Sequence, residues 1–376
     1  MQTMTAAVWS GPTEPLRLEE IARPSPRRGE ALVRVVACGV CHTDLHVMKG
    51  EVGFPAPAVL GHEISGHVVE AGPDTELPAG VEIGGAVVGA FIMPCGECAA
   101  CRAGRDDLCG PFFAQNRGKG RLFDGTTRLR GRDGADLAMY SMAGLAEYCV
   151  VPVTALVALP DSVPAAQAAI LGCAAFTAHG AVANAGGVAE GEAVAVVAVG
   201  GVGSSIVQLA KSHGASPVIA VDVDDAKLAA VRDLGADHVV NSTTEDAVAK
   251  VRELTGGAGV SAVFEALGLP QTFEQSVRML ADGGRMVAVG IGSGAASAQV
   301  EITPLVRRGL RIIGSFGART REALPAVVAE AVGGALSLER TVTRTYPLER
   351  VNEAFDDLAG GRIPGRAVIT MDASHS

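Results

Sequence analysis

Val196-Val197-Ala198-Val199-Gly200-Gly201-Val202-Gly203 is the stretch that decides the fold. An apolar run leads into a glycine turn, and helical periodicity follows over 202–213. Strand, glycine turn and helix in that order open a βαβ unit whose turn admits a nucleotide pyrophosphate. The full pattern G-x-G-x-x-G would begin at position 198, which is alanine. Gly200 still permits close approach of a pyrophosphate, and Gly203 still permits tight packing of helix on strand. The helix start offers free N–H groups and its positive end to phosphate. The incomplete triplet is a weak signal alone, and its surroundings supply the rest.

Working outward, Asp222 closes the next strand nineteen residues after Gly203. A carboxylate there should accept hydrogen bonds from the adenosine ribose hydroxyls and repel a 2′-phosphate. Val223, Asp224 and Asp225 bring no arginine to bind one, so the pattern indicates NAD rather than NADP. Capping of the following helix is the other reading of Asp222, and Asp224 could fill that role instead. Gly200, Gly201, Val202, Gly203, Asp222 and Lys227 are the candidate cofactor residues in this region. Strand and helix patterns alternate from about position 174. Strands are expected at 193–199, 218–221, 239–241, 262–266, 286–289 and 311–315, and helices at 202–213, 224–234, 245–254 and 272–280. Such alternation means right-handed crossovers and a parallel sheet with helices on both faces.

On the other side of the turn, the first third reads as β. Short apolar runs at 33–37, 66–70 and 86–90 are bounded by Gly and Pro, as in a compact barrel-like domain. Residues 112–145 form a glycine-rich, charged excursion with an Asp-Gly turn signal at Asp124-Gly125. A helix at 351–358 and a strand at 367–371 read as a return to the first domain, with the α/β domain inserted. The 376 residues suffice for two domains with sizeable cores. A net charge of −10 without a basic block argues against nucleic acid or an anionic membrane as partner. Neither a signal peptide nor a run of about 18 apolar residues is visible, so a cytoplasmic protein is expected.

The eight cysteines carry the remaining chemistry. Cys95, Cys98, Cys101 and Cys109 read C-x2-C-x2-C-x7-C, a spacing that suits a closed tetrahedral Zn²⁺ with no open position. Two disulfides are the alternative, though such frameworks belong to small secreted chains. Cys38 and Cys41 resemble a redox C-x-x-C, but they lie in a β region and not at the helix start of a thioredoxin-like unit. His62 in Gly61-His62-Glu63 and Cys173 in Leu171-Gly172-Cys173 are further candidate ligands. Three protein ligands plus water describe a catalytic zinc, and Cys/His/Cys is one of its standard sets.

Taken together, Cys41-His42-Thr43-Asp44-Leu45-His46, Gly61-His62-Glu63, the four-cysteine lobe, Leu171-Gly172-Cys173 and Val199–Gly203 resemble a known family over essentially the full length. That family is the zinc-dependent alcohol dehydrogenases of the medium-chain dehydrogenase/reductases. The resemblance implies an α/β protein with a GroES-like β-rich catalytic domain over 1–174 and 317–376, carrying a structural zinc lobe at about 91–113. It implies a Rossmann NAD-binding domain over 175–316. Cys41, His62 and Cys173 would bind the catalytic zinc, Glu63 would be an alternative or outer ligand, and Asp44 would orient His62. Cys38 and Cys149 would be buried structural thiols. The four-cysteine lobe would hold the second of two zincs per chain.

The implied reaction is reversible hydride transfer between a primary or secondary alcohol and NAD. Thr43 would take the alcohol proton, and His46 would release it to water. His42 and Arg366 match phosphate contacts, Thr177 a residue packing on the nicotinamide, and Phe91 a position lining the substrate pocket. Glutathione-dependent formaldehyde dehydrogenases of the family use an acidic and an arginine residue where Val52 and Phe113 stand here, which argues against that activity. A polyol or sugar dehydrogenase and a catalytically silent NAD-binding protein are the alternatives. The long excursion resembles dimeric members, so a homodimer is expected, with a homotetramer as the other arrangement. His67, His179, His213, His238 and His375 are read as ordinary histidines.

Overall fold

The computed structural model describes residues 2–292 and 294–371. His375 lies outside these residues. The chain divides into two units. One comprises Met1–Cys173, Arg319–Val332 and Val342–Ser376, and the other Ala174–Ala318 and Gly333–Thr341.

The second unit is built on a six-stranded parallel sheet. Across the sheet the order is His238–Asn241, Val218–Asp222, Val194–Val197, Val260–Glu265, Leu280–Ala288 and Arg311–Gly314. Counted along this unit the order is 3-2-1-4-5-6, the doubly wound Rossmann arrangement. Val194–Val197 is buried at every position, as a strand covered on both faces must be. Ala195, Val197, Ile219, Val221, Val263 and Met286 share one core with Val251 and Val277 of the covering helices. Helix boundaries follow local chemistry. Asp224 Oδ1 accepts from the N–H groups of Ala226 (2.8 Å) and Lys227 (3.2 Å), which opens helix Asp225–Asp233. Pro270 opens helix Pro270–Met279, where its missing N–H costs nothing.

The first unit holds a seven-stranded and a five-stranded sheet. Its central strand, Glu30–Val40, pairs antiparallel with Ile64–Ala71, with Tyr148–Pro152 and with the late strand Arg366–Thr370. The excursion is more ordered than its composition predicts. It contains a π-helix, Phe112–Arg117, and the strands Leu129–Arg130 and Asp136–Met139. Arg128 anchors it: Nη2 donates to Glu30 Oε1 at 2.5 Å, Nε to Glu30 Oε2 at 2.8 Å, and Nη2 also to Asp124 Oδ2 at 2.9 Å. Burial would raise the Asp124 carboxyl, but the bond from Arg128 holds it well below the usual carboxylate range. The Asp-Gly turn is present, with Leu122 N–H on Thr126 O at 2.9 Å and Gly125 at φ +75°. Helices Thr320–Val332 and Ala174–His179 go beyond the elements that sequence periodicity predicts. Among the described residues no single helix is long and apolar enough to cross a membrane.

Candidate active site

Three neighbouring strands deliver the principal side chains to one end of a sheet in the first unit. Cys41 follows Glu30–Val40 directly and caps the short helix His42–Met48. His62 and Glu63 precede Ile64–Ala71, and Arg366 opens Arg366–Thr370. Cys173 arrives from a 3₁₀ turn, Ala169–Gly172. Gly172 is needed there, because a Cβ would stand 1.8 Å from the Gly89 carbonyl oxygen. Phe91 N–H on Gly172 O, at 3.0 Å, fixes the same approach.

The result is a closed cluster. One ligand atom from each of Cys41, His62, Glu63 and Cys173 lies within 4.8 Å of the others, and all four residues are buried. His62 Nε2 is 3.5 Å from Cys173 Sγ and 3.8 Å from Glu63 Oε1. Behind it, Nδ1 lies 3.0 Å from Asp44 Oδ2, while Asp44 Oδ1 accepts from Gly61 N–H at 3.0 Å. Asp44 therefore turns Nε2 toward the sulfurs. Burial alone would lower the His62 imidazole, but the Asp44 carboxylate and the Cys41 sulfur raise it to about 10. A hydrogen bond from the Cys173 thiol pulls Cys41 well below its usual value, and the same bond raises Cys173. Burial raises Glu63, with Arg366 opposing. Arg366 Nη2 donates to Glu63 Oε1, while Arg366 Nε and Glu63 Oε2 are buried without a hydrogen-bond partner among the described residues. Two sulfurs, an imidazole held from behind and an unsatisfied carboxylate oxygen, all buried, fit a divalent zinc-type ion.

Around this cluster stand other expected residues. Thr43 Oγ1 is 3.6 Å from Cys41 Sγ. Phe91 is buried with its ring 6.0 Å from His62, nearly edge to face. His46, on the same short helix, is half-exposed and its Nδ1 meets Glu51 Oε2. His42 is exposed one residue after Cys41. Cys38 is fully buried in the strand, outside the cluster, and burial raises its thiol. Cys149 is likewise buried and raised.

The four-cysteine lobe forms a second cluster, with all four sulfurs within 4.8 Å of one another. All eight cysteines are free thiols. Cys95 N–H points at Cys109 Sγ (3.2 Å) and Cys98 N–H at Cys95 Sγ (3.3 Å), while Cys95 and Cys101 Sγ are 4.0 Å apart. A tetrahedron with ~2.3 Å Zn–S bonds has sulfur–sulfur edges of ~3.8 Å, so this spacing fits such an ion. The backbone bond at Cys101 lowers Cys98 to about 7. Sequence reasoning missed the clasp that holds the lobe: Arg321 Nη2 donates to Cys101 O at 2.5 Å and to Asp106 Oδ1 at 2.8 Å. No local pattern marks partners 215 residues apart.

In the second unit, helix Gly201–Ser212 begins directly after Gly200. A Cβ on Gly200 would meet nothing within 4 Å, whereas one on Gly203 would stand 2.0 Å from Ala198 O. Gly201 and Val202 are half-buried in the first turn of this helix. Ala198 takes φ +69°, the left-handed region that glycine favours. Asp222 is tied to the turn: Oδ2 accepts from Val199 N–H at 2.8 Å, and Oδ1 from Val223 (2.8 Å) and Asp224 (3.1 Å). Helix capping falls to Asp224. Lys227 is half-buried on the next helix, and Thr177 is half-buried on Ala174–His179.

Comparison with known proteins agrees with this geometry. Residues 27–161 match the alcohol dehydrogenase GroES-like domain, and residues 201–332 the zinc-binding dehydrogenase domain. The chain is 34% identical to an alcohol dehydrogenase of Geobacillus stearothermophilus over 375 residues, covering 98% of this chain and 100% of that one. It is 34% identical to a probable S-(hydroxymethyl)glutathione dehydrogenase of Schizosaccharomyces pombe, covering 98% and 97%. The crystal structure of benzyl alcohol dehydrogenase from Acinetobacter calcoaceticus superposes with a TM-score of 0.92 at 30% identity, covering 99% and 100%. The chain belongs to the zinc-dependent alcohol dehydrogenases of the medium-chain dehydrogenase/reductase family.

Proposed function

We propose that this alcohol dehydrogenase is NAD-dependent and holds two zincs per chain. The catalytic ion would sit on Cys41, His62 and Cys173 with Glu63 in reserve, and the structural ion on Cys95, Cys98, Cys101 and Cys109. The observation that carries the reading is the buried four-residue cluster whose histidine is held from behind by Asp44. Zinc, when bound, supplies the Lewis acidity that eases loss of the alcohol proton. Thr43 Oγ1, 3.6 Å from Cys41 Sγ, would receive that proton. His46 has Nδ1 engaged with Glu51, which leaves Nε2 to exchange a proton with water.

Gly200, Gly201, Val202, Gly203, Asp222, Lys227 and Thr177 are the proposed cofactor residues of the second unit, with His42 and Arg366 of the first unit as further phosphate candidates. Support for NAD over NADP is the carboxylate of Asp222 at the strand end. Phe91 and Tyr140 each place a ring 6.0 Å from His62, which favours alcohols with an apolar or aromatic body over polyols. Val52 and Phe113 in place of polar groups argue against glutathione adducts. Eight free thiols suit a reducing cytoplasm. A homo-oligomer is supported by the edge strand Arg311–Gly314 and by Ile302 (76% exposed) and Val306 (71%) on the adjacent helix.

The test is zinc content and NAD-linked turnover of benzyl alcohol by the intact chain and by Cys173→Ala. Two zincs and turnover are expected for the first. The variant should keep about one zinc and bind NAD without turnover. Unchanged activity in Cys173→Ala would refute the assignment.

A further inference from the structure

The π-helix Phe112–Arg117 ends beside Tyr140. Inserted π turns gather at functional sites because the extra residue redirects side chains. Here Asn116 Nδ2 donates to Met139 O (3.2 Å) and Ser141 O (3.1 Å), the carbonyls on either side of Tyr140. Ser141 and Ala143 take φ +52° and +58°, left-handed conformations in residues that are not glycine. Ser141 Oγ locks the bend onto Phe91 O at 2.9 Å. Strain of this kind persists only where the surroundings over-determine it. What the clamp holds is the Tyr140 ring, 6.0 Å from His62 on one contact and 4.9 Å from Phe54 on another.

The guanidinium carbon of Arg117 lies 4.3 Å from the centroid of the same ring. Stacking over a ring leaves the in-plane N–H groups of a guanidinium for other acceptors. Arg117 Nη1 and Tyr140 Oη are both buried; the guanidinium lies beside the phenol, but neither atom makes a hydrogen bond of good geometry among the described residues. Tyr140 is 1% exposed, so bulk water does not supply one. Arg117 makes no ion pair among the described residues, whereas Arg128 of the same excursion has two. An arginine can only donate, so a further partner for this guanidinium brings acceptor oxygens. A planar fork of donors with a phenol beside it matches a carboxylate.

We propose that Arg117 and Tyr140 form a carboxylate-receiving wall of the alcohol site, selecting alcohols that carry an acid group on an apolar or aromatic body. This inference rests on the reading of the His62 cluster as the site of alcohol oxidation. It also accounts for the excursion, whose π-helix brings the guanidinium onto the ring that packs against His62.

The test compares benzyl alcohol with 3- and 4-(hydroxymethyl)benzoate as substrates, with NAD, in the zinc-loaded protein. The readout is the ratio of kcat/KM for the better acid to that for benzyl alcohol. The intact protein should favour the acid. Arg117→Met should lower the ratio by about tenfold or more, the loss of a charged hydrogen-bond partner. Arg117→Lys should fall between them, and Tyr140→Phe should lower the ratio about threefold or more. A ratio unchanged in Arg117→Met, or a fall of both substrates together, overturns the proposal. Absence of benzyl alcohol turnover in the intact protein counts against the alcohol reading of the cluster. In that case benzoate binding by calorimetry still decides the wall: about tenfold weaker binding to Arg117→Met supports it, and equal binding overturns it.

Discussion

Ala198 is an alanine where the glycine turn calls for a left-handed residue, and replacing it with glycine should stabilise the protein. Its φ of +69° cannot relax cheaply, because both sides of the residue are pinned. Ala198 N–H bonds Val221 O at 2.8 Å, and the next N–H, of Val199, bonds Asp222 Oδ2 at 2.8 Å. An L-residue in the left-handed region costs about 1–2 kcal/mol. Glycine removes that cost but gives the unfolded chain extra freedom worth about 0.4–1 kcal/mol. The lost methyl is half-buried and weighs little. The net gain is therefore about 0–1.6 kcal/mol, centred on ~0.8, or up to ~6 °C in Tm for a unit of ordinary domain size. Thermal unfolding of Ala198→Gly and the parent chain, without cofactor and at one scan rate, measures it. A lower Tm would refute the assignment of strain to this turn.

The neighbouring glycines should respond differently. Gly203→Ala should destabilise by about 1–3 kcal/mol, since its Cβ would stand 2.0 Å from a backbone carbonyl oxygen; a Tm equal to that of the parent would contradict this. Gly200→Ala meets open space, so it should keep the parent Tm and weaken NAD binding, read by fluorescence titration of NADH. Glu192 receives Arg285 Nη1 at 2.9 Å and Nη2 at 2.5 Å, and that bond holds its carboxyl below the usual range. Its folded pKa is thus below the unfolded value near ~4.3, so the stabilisation is complete above that pH and is lost as pH falls through the folded pKa. Glu192→Gln should cost about 1–3 kcal/mol at pH 7 and less with increasing acidity, which urea unfolding across pH 3–7 would show; a constant difference would exclude the ion pair as the cause. Cys98→Ser should leave about one zinc per chain and open residues 95–109 to limited proteolysis, because small cysteine lobes take their order from the metal. A resistant lobe at that zinc content would show that the Arg321 clasp alone holds it.

Sequence logic reached the periodic parts of this protein and the short motifs. The parallel sheet was legible because fully buried β-branched strands alternate with capped helices, as at Val194–Val197 and Asp224. Candidate ligands were legible because Cys41, His62 and Cys173 sit in short, dense motifs. Long-range polar bonds were not. The clasp of Arg321 on Asp106, the anchor of Arg128 on Glu30 and the bond from Val199 N–H to Asp222 leave no mark in local spacing. That last contact alters an obvious experiment. Asp222→Gly would remove the acceptor holding the glycine turn along with any ribose contact, so altered cofactor preference in that variant would mix two effects. The internal order of the excursion was not legible, because its glycines and charges hide the buried arginine that ties it to Glu30.

The pairing of Glu63 with Arg366 spans 303 residues, and the sheet that carries both is finished only by the strand following Arg366. On a ribosome adding about 5–20 residues per second, the carboxylate waits roughly 15–60 s for its cation. Throughout that interval Glu63 lacks the arginine that pairs with it in the finished sheet, and Glu30–Val40 has a bare edge where Arg366–Thr370 will pair. During synthesis this half-built sheet offers an unpaired edge that another strand could take.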